Sequence, residues 1–284
     1  MELGTIGVWW SGSWRPPHAT GVDVAAELES LGYGAIWSSG GFDPGVSPLF
    51  GRLLDATQRL VVASGILSIW LNEPAALAAA VADLEARHPG RFLTGLGVSH
   101  APLVEQYRQP YTHMAAFLDG LDGADTPVPP ARRVLAALGP RMLELAARRS
   151  AGAHPYLVPI EHTARARRIL GPGPLLAPEV TVVLEPDPAA ARQLARGFLA
   201  GYLTLPNYRA NLRSLGFGDA ELAAGGSDRL VDAVVAWGDV DAVATRVRAH
   251  LEAGADHVCV QVVPVEPGFP LEEYRALARA LLSA

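Results

Sequence analysis

The residues around Gly139 have the types and spacing that suit the binding of an anion. Gly139-Pro140 separates an apolar run at 134–138, which has the character of a buried strand, from an amphipathic helix. Glycine lets a ligand approach the backbone, and the free N–H groups of Arg141 and Met142 in the first helical turn favour an anion such as phosphate. Arg141 adds a positive charge. A simple helix cap with a solvated arginine is the alternative interpretation.

The composition excludes several other kinds of chemistry. All 23 basic residues are arginine, so lysine Schiff-base enzymes and P-loop proteins are excluded. The single Cys259 lies in the apolar run HVCVQVV, which indicates a buried thiol rather than a nucleophile. The eight histidines form neither a His-x-His pair nor a His-Glu-x-x-His motif, so we predict no metal site.

Length and charge place the protein in a broad class. A chain of 284 residues is usual for one α/β barrel, and we expect a single domain over 1–284. The net charge of −6 argues against a nucleic-acid surface. No apolar run is long enough to cross a bilayer, and the N-terminus lacks the basic start of a signal peptide. We therefore expect a cytoplasmic protein that binds neither nucleic acid nor membranes.

Apolar runs of strand length alternate along the chain with helical segments, which is the pattern of a parallel sheet. Strands are predicted at 5–10, 34–38, 60–70, 92–98, 134–138, before residue 156, at 179–184 and at 257–263. Helices are predicted at 22–31, 49–56, 74–87, 103–121, after Gly139, at 163–170, throughout 188–250 and at 271–282, with Asp239 as a cap. The order predicts a (β/α)8 TIM barrel with an expanded helical connection before the last strand. An open doubly wound sheet is less favoured because no GxGxxG turn follows the first strand.

In such a barrel the active site lies at the carboxyl ends of the strands. The residues expected there are mainly tryptophan, serine and glycine, and this rim suits a flat aromatic ligand that forms hydrogen bonds. Core packing is the alternative for each tryptophan. The rim comprises Trp9, Trp10, Ser11, Trp14, Trp37, Ser38, Ser39, Ser68, Trp70, Gly97, Ser99, Gly139 to Met142, His100, His154, Pro155 and Tyr156.

Motifs on successive predicted strands resemble those of the luciferase-like monooxygenase superfamily. They are Pro74-Ala75 through Leu84, Pro89-Gly90-Arg91-Phe92, Gly95-Leu96-Gly97 and Ser99-His100. The run ALGPRM at 137–142 and the run GAHPY at 152–156 resemble the actinobacterial branch of oxidoreductases that use the deazaflavin coenzyme F420. The resemblance implies hydride transfer between F420 and a small organic substrate. FMN-dependent monooxygenation and deazaflavin binding without turnover are alternatives.

The resemblance also implies where each part of the cofactor lies. The phosphate is expected at the turn after the fifth strand, in agreement with the anion site, and its tail near Arg141, with Arg15 or Arg165 as further candidates. A non-proline cis peptide behind the ring is expected at Gly65–Ile66. The implied catalytic residues are His100, His154 and Trp37, with His18 weaker. The implied cofactor-binding residues are Ser38, Ser64, Gly65, Ile66, Ser68, Gly97, Ser99, Leu138, Gly139, Pro140, Arg141, Met142 and Tyr156.

Departures from the family pattern narrow the expected activity. Strand two offers Trp37 to Gly40, and strand four offers Val98 where some relatives have glutamate, which argues against a sugar-phosphate dehydrogenase. A serine hydrolase is suggested by Gly97-Val98-Ser99-His100, but Ala101 replaces the last glycine of the elbow motif. The helices at 49–56 and 74–87 suit the family's dimer interface, so we expect a homodimer.

Overall fold

The computed structural model describes residues 2–10, 18–41, 43–105 and 107–283. The predicted rim residues Ser11 and Trp14 and the predicted tail contact Arg15 lie outside the described residues. The same holds for the side chain of His18, whose backbone begins the first helix. The predictions for these four residues therefore stay predictions.

Parallel strands form the wall of the fold, as the alternation of apolar runs predicts. Every pairing between neighbouring strands of the described chain is parallel. The strands are β1 (Ile6–Trp10), β2 (Ala35–Ser38), β3 (Val61–Ser64), β4 (Leu67–Ser68), β5 (Phe92–Gly97), β6 (Arg133–Leu135), β7 (Gly152–Ala153), β8 (Leu175–Leu176), β9 (Glu179–Val183), β10 (Val235–Trp237) and β11 (Val258–Val262).

Helices follow the strands and cover the outside of the wall. Several begin at a proline, whose missing N–H is harmless in a first turn. Asp239 caps α10 as predicted, because its side chain accepts the Ala242 N–H. None of the described helices has both the length and the apolar character that a membrane crossing requires. The helices are α1 (His18–Ser30), α2 (Pro48–Asp55), α3 (Pro74–Arg87), α4 (Pro110–Asp122), α5 (Pro140–Arg149), α6 (Ile160–Leu170), α7 (Pro188–Tyr202), α8 (Pro206–Ser214), α9 (Asp228–Val234), α10 (Val240–Glu252) and α11 (Leu271–Leu281).

The pairings close the wall into a barrel. Neighbours run in the order β11, β1, β2, β3, β5, β6, β7 and β8, while β9 pairs with β11. Only Ala177 and Pro178 separate β8 from β9. The Ala177 N–H donates to Ala153 at 2.9 Å, and the Pro178 carbonyl accepts the Cys259 N–H at 2.9 Å. The stretch from β8 to β9 is thus one seventh barrel strand with neighbours on both sides, which confirms the predicted barrel.

Three predicted elements differ from the observed ones. The helix predicted at 103–121 begins only at Pro110, as α4. The connection before the last barrel strand is expanded as predicted, but it is not helical throughout, because β10 pairs with the upper part of β9. A three-residue apolar strand between helices has no period that distinguishes it from helix. The predicted third strand also divides into β3 and β4. The Gly65–Ile66 peptide bond between them is cis, which confirms the expectation drawn from the resemblance.

Alternation along the strands separates two layers of the core. Inward residues such as Trp9, Trp37 and Cys259 fill the barrel, whereas Val8 and Ile36 face the surrounding helices. A third apolar cluster belongs mainly to α7, α8 and α9 and packs over the upper ends of the last strands. We call these three helices with β10 the insertion. It lies at the end of the barrel where the site is expected.

Candidate active site

Gly65, which follows β3, is a tightly packed point of the barrel mouth. Its N–H donates to the Ser38 carbonyl at 2.8 Å, so strand two holds its backbone. A Cβ at Gly65 would lie 2.8 Å from Nε1 of Trp9 and 3.3 Å from Nε2 of His154. The first distance is too short for any side chain, so only glycine fits between these two rings.

The two nitrogen atoms beside Gly65 have no hydrogen-bond partner among the described residues. Trp9 is 7% exposed and His154 is 2% exposed, yet Nε1 of the indole and Nε2 of the imidazole are both unpaired. Leaving a buried polar group unpaired costs about 1–3 kcal/mol. A donor and an acceptor without partners among the described residues therefore lie close together beside Gly65.

His154 is held as a neutral hydrogen-bond acceptor. Its Nδ1 lies 2.6 Å from the Ala177 carbonyl, which can only accept, so Nδ1 carries the proton and Nε2 is the acceptor. Burial lowers the pKa of His154 to about 4, and the bond to Ala177 opposes that effect. The imidazole therefore accepts a hydrogen bond at neutral pH, and its predicted part as a proton donor would require protonation against burial.

Trp37 lies inside the barrel, beneath His154. Its indole is fully buried and stacks on the His154 ring, with centroids 4.4 Å apart and planes 19° apart. Its Nε1 donates to Nε2 of His257 at 3.1 Å. This differs from the predicted place beside the cofactor ring, because alternation along β2 turns Trp37 toward the barrel interior. Trp37 is linked to the mouth by its stacking contact with His154.

The predicted serines hold the backbone around the mouth. The Ser64 hydroxyl donates to the Gly95 carbonyl at 3.0 Å and accepts the Gly95 N–H at 2.7 Å. The Ser38 hydroxyl lies 3.5 Å from the Trp10 carbonyl, and the Ser68 hydroxyl accepts the Trp70 N–H at 3.3 Å. The contacts of Ser64 and Ser38 join neighbouring strand ends, and that of Ser68 holds the local turn, so the serines position the backbone of the site.

Strand β5 brings a second glycine and a strained turn to the mouth. A Cβ at Gly97 would lie 2.6 Å from Cδ1 of Ile66, so the Ile66 side chain packs directly on this glycine. Ser99 follows with a positive φ of 55°, a left-handed conformation that is uncommon for serine. The turn directs the chain outward, and His100 comes next.

The side chain of His100 contacts the insertion. Its Nδ1 lies 2.9 Å from Oδ1 of Asn207, and its ring centroid lies 5.3 Å from that of Tyr208. Burial lowers the pKa of His100, and the bond to Asn207 opposes the shift. The half-buried imidazole thus joins β5 to α8 at the edge of the mouth.

Tyr156 also connects the barrel to the insertion. Its hydroxyl donates to Oε1 of Gln261 at 2.9 Å and lies 2.9 Å from the hydroxyl of Tyr202. Its ring centroid lies 5.3 Å from that of Trp9. Burial raises the pKa of Tyr156 well above its usual value, so the phenol keeps its proton. Tyr156, Tyr202 and Tyr208 form an aromatic roof beside the mouth.

A buried carboxyl group below the mouth is the residue that the sequence analysis missed. Glu179 is fully buried, accepts the Thr181 hydroxyl at 2.6 Å and accepts the Leu157 N–H at 3.1 Å. Burial raises its pKa to about 7. The alternation of side chains along the strand could have indicated this burial. Glu179 and Thr181 point to the same face as Ala177, which faces the barrel interior.

The predicted anion site has the expected backbone. Helix α5 begins at Pro140 after an extended Gly139, and a Cβ at Gly139 would meet no atom within 4 Å. His162 supports the turn from behind, with Nε2 2.9 Å from the Leu138 carbonyl. Arg141 is exposed and lies over the ring of Tyr111, 4.4 Å from its centroid. The first helical turn is therefore open to an anion, with Arg141 beside it.

The sequence matches the family model of the luciferase-like monooxygenases over residues 10–119 and 107–257. Among curated proteins no sequence matches significantly. These matched segments together extend from the first barrel strand to the start of the last.

Solved structures of several enzymes share the fold. An F420-dependent secondary alcohol dehydrogenase in complex with an F420-acetone adduct is 14% identical with a TM-score of 0.74, covering 98% of both chains. A coenzyme F420-dependent tetrahydromethanopterin reductase from Methanopyrus kandleri is 14% identical with a TM-score of 0.70, again over 98% of both. The oxygenating constituent of 3,6-diketocamphane monooxygenase from Pseudomonas putida, in complex with FMN, is 16% identical with a TM-score of 0.67, over 98% of this chain and 97% of the other. Because the family model matches most of the sequence, the chain belongs to the luciferase-like monooxygenase family.

Proposed function

We propose that the protein is an oxidoreductase that binds coenzyme F420 at the barrel mouth and transfers a hydride between the cofactor and a small organic substrate. The observation that carries the proposal is the arrangement at Gly65. There a glycine without room for a Cβ lies between the unpaired Nε1 of Trp9 and the unpaired Nε2 of His154.

These residues fit the polar edge of a fused ring system. Deazaflavins and flavins carry alternating C=O and N–H groups on one edge, which match a buried donor and a buried acceptor. Gly65 has no side chain of its own that would separate a ligand from these two nitrogen atoms. A bound deazaflavin would supply the hydride donor or acceptor itself.

The remaining residues exclude water and hold the cofactor's anionic part. The rings of Trp9, Tyr156 and Tyr208 form an aromatic wall on the insertion side, which suits a substrate stacked against the cofactor. The open first turn of α5 and Arg141 suit a phosphate. His100 is the side chain best placed to hold a proton near the substrate, because it is only half-buried.

An FMN-dependent monooxygenase is the second candidate. The FMN-bound diketocamphane monooxygenase shares the fold over nearly the whole chain, and one phosphate turn with one ring position serves either cofactor. We favour F420 because of the resemblance of the ALGPRM and GAHPY runs to the F420-dependent branch. A turnover assay would distinguish an F420-dependent enzyme from a protein that binds deazaflavin without reacting.

Titration with each cofactor tests the proposal. Purified protein is titrated with F420 and with FMN while ligand fluorescence and melting temperature are recorded. We expect saturable binding of F420, weaker binding of FMN, and reduction or oxidation of bound F420 by members of a panel of alcohols and ketones. Tighter binding of FMN would favour the monooxygenase, and saturable F420 binding without turnover would favour a carrier. Binding of neither cofactor would refute the proposal.

Charge reversal at Arg141 tests the phosphate site separately. Arg141→Glu places a negative charge at the first turn of α5, and we expect weaker F420 binding with an unchanged fold. Arg148→Glu is the matched control, because it makes the same charge change on the same helix about 10 Å further along its axis. Equal affinities of the two variants would remove Arg141 from the site.

We also propose that the protein is a homodimer that pairs through α2 and α3. The outer face of α3 exposes Ala75, Ala76 and Ala79, small side chains that allow close helix contact. Light scattering should give twice the chain mass, and Ala79→Arg should give the monomer. A monomeric wild-type protein would contradict this.

A further inference from the structure

Glu179 is the one carboxyl group among the described residues that is completely buried, and it faces the barrel interior. Its backbone N–H donates to the Pro155 carbonyl at 2.8 Å, and its side chain accepts the Leu157 N–H at 3.1 Å. Two atoms of one residue on β9 therefore hold both ends of the segment Pro155-Tyr156-Leu157. The Thr181 hydroxyl donates to the other carboxyl oxygen at 2.6 Å and orients the carboxyl group.

The segment that Glu179 holds has an unusual backbone. Leu157 is buried and has a positive φ of 56°, a conformation that leucine rarely adopts. Such a residue persists only where its surroundings hold it. Its N–H lies beyond the end of β7 and has left the strand ladder, so the Glu179 carboxyl group takes the place of a strand partner.

The residues on either side of this turn belong to the mouth. His154, two residues before Tyr156, presents the unpaired Nε2 beside Gly65. Tyr156 contacts Trp9 and bonds to Gln261 and Tyr202. A change in the backbone at Leu157 would move the Tyr156 ring and, through Trp9, the donor at the other side of Gly65.

We propose that Glu179 is a positioning residue, which holds the left-handed turn at Leu157 and thereby keeps Tyr156 and His154 in the arrangement that binds the cofactor ring. The part of this proposal that concerns binding rests on the proposed function. Burial raises the pKa of Glu179 to about 7. Its two carboxyl oxygens accept hydrogen bonds from Leu157 and Thr181, so the length of the side chain decides whether both donors are reached together.

Two conservative variants distinguish the effect of the length of the Glu179 side chain from the effect of its charge. Glu179→Gln keeps the length of the side chain, and its amide oxygen can accept the Leu157 N–H while its NH2 group donates to the Thr181 hydroxyl. Glu179→Asp keeps the carboxyl group but is one methylene shorter, so it cannot serve Leu157 and Thr181 together. Glu185→Asp is the matched control, because Glu185 lies just beyond the same strand and is partly exposed.

Amide hydrogen exchange gives a readout that needs no cofactor. In Glu179→Asp we expect exchange at Leu157 to accelerate by about tenfold or more, with amides of the barrel wall unchanged, because loss of one buried hydrogen bond changes local opening by about that factor. In Glu179→Gln and Glu185→Asp exchange at Leu157 should match the wild type. The Kd for F420 should rise about tenfold in Glu179→Asp and stay within about threefold in Glu179→Gln.

The possible outcomes decide the proposal. Unchanged Leu157 exchange in Glu179→Asp, or altered exchange with unchanged affinity, overturns it. Equal loss of affinity in the Gln and Asp variants also overturns it, since the variant that keeps the side-chain length would then be no better than the shorter one. Uniformly faster exchange throughout the barrel would show a general stabilising role and overturn it as well. If the wild type binds neither F420 nor FMN, the proposed function fails, while Leu157 exchange still tests the turn.

Discussion

At Gly65 the position of a side chain is already crowded by neighbouring rings, whereas at Gly139 nothing lies where a side chain would be. A Cβ at Gly65 would meet Trp9 at 2.8 Å, and a Cβ at Gly139 would meet no atom within 4 Å. The inner end of the proposed site is thus preformed by packing, and its selectivity should depend on shape. The outer end consists of backbone N–H groups and an exposed arginine, so it should depend on charge.

Alanine at the two glycines tests this difference most strongly. We expect Gly65→Ala to raise the Kd for F420 by about 50-fold, because displacing Trp9 and His154 removes a donor and an acceptor worth about 1 kcal/mol each and misplaces the ring. Gly139→Ala should change Kd by less than about fivefold, since its extended backbone suits alanine. Fluorescence titration of both variants provides the measurement. Equal effects would contradict the contrast between the two ends.

Stability as a function of pH tests the burial of the inner end. Because the folded-state pKa of Glu179 is raised from 4.5 to about 7, the folded protein binds a proton more tightly than the unfolded chain. Wild-type stability should therefore fall, relative to Glu179→Gln, as pH rises from about 4.5 to 7, by roughly 3 kcal/mol in total. The difference should be constant above pH 8. Urea unfolding of both proteins at several pH values measures it, and parallel curves would refute the raised pKa.

Substitution of Trp37 tests whether the side chains beneath the mouth contribute to the stability of the fold or to ligand binding. Trp37→Phe keeps an aromatic ring under His154 but leaves Nε2 of His257 without its donor. We expect a loss of about 2 kcal/mol in the free energy of unfolding and a change in Kd within threefold, since a buried unpaired nitrogen costs about that much. Chemical denaturation and titration give the two values. A large loss of affinity with unchanged stability would restore the predicted catalytic role of Trp37.

Salt concentration should affect binding at the outer end of the proposed site but not at the inner end, and this is the smallest of the expected effects. At low ionic strength we expect Arg141→Glu to weaken F420 binding about tenfold, and the ratio should fall to about twofold near 0.5 M salt, because exposed charges are screened. The 50-fold effect at Gly65 should be independent of salt. Titrations at several salt concentrations test this. A salt-independent effect of Arg141→Glu would mean that Arg141 acts through its contact with Tyr111.

Much of the fold could be predicted because long apolar runs define the barrel strands and caps define helices such as α10. The cis bond at Gly65–Ile66 and the turn before α5 followed from motifs. The direction of side chains was harder. Trp37 points inward because of its phase in β2, and a tryptophan near a strand end has no local signal that distinguishes mouth from interior.

Glu179 and β10 were missed for different physical reasons. A glutamate at the start of a predicted strand usually faces solvent, and only the closure of the barrel buries this one. Strand β10 is three residues long and pairs with a strand far away in sequence, so no local pattern reveals it. Both depend on contacts between residues that lie far apart in the sequence.

The separate apolar cluster of the insertion has a consequence for how this family member can change over time. Tyr202 and Tyr208 are supported mainly by that cluster, with residues such as Leu199 and Leu212, and little by the side chains that fill the barrel. Mutations on the faces of α7 and α8 that point away from Tyr202, Asn207 and Tyr208 should therefore leave the packing around Gly65 in place. Sequence change in the insertion can thus proceed largely apart from the barrel residues that form the inner end of the proposed site.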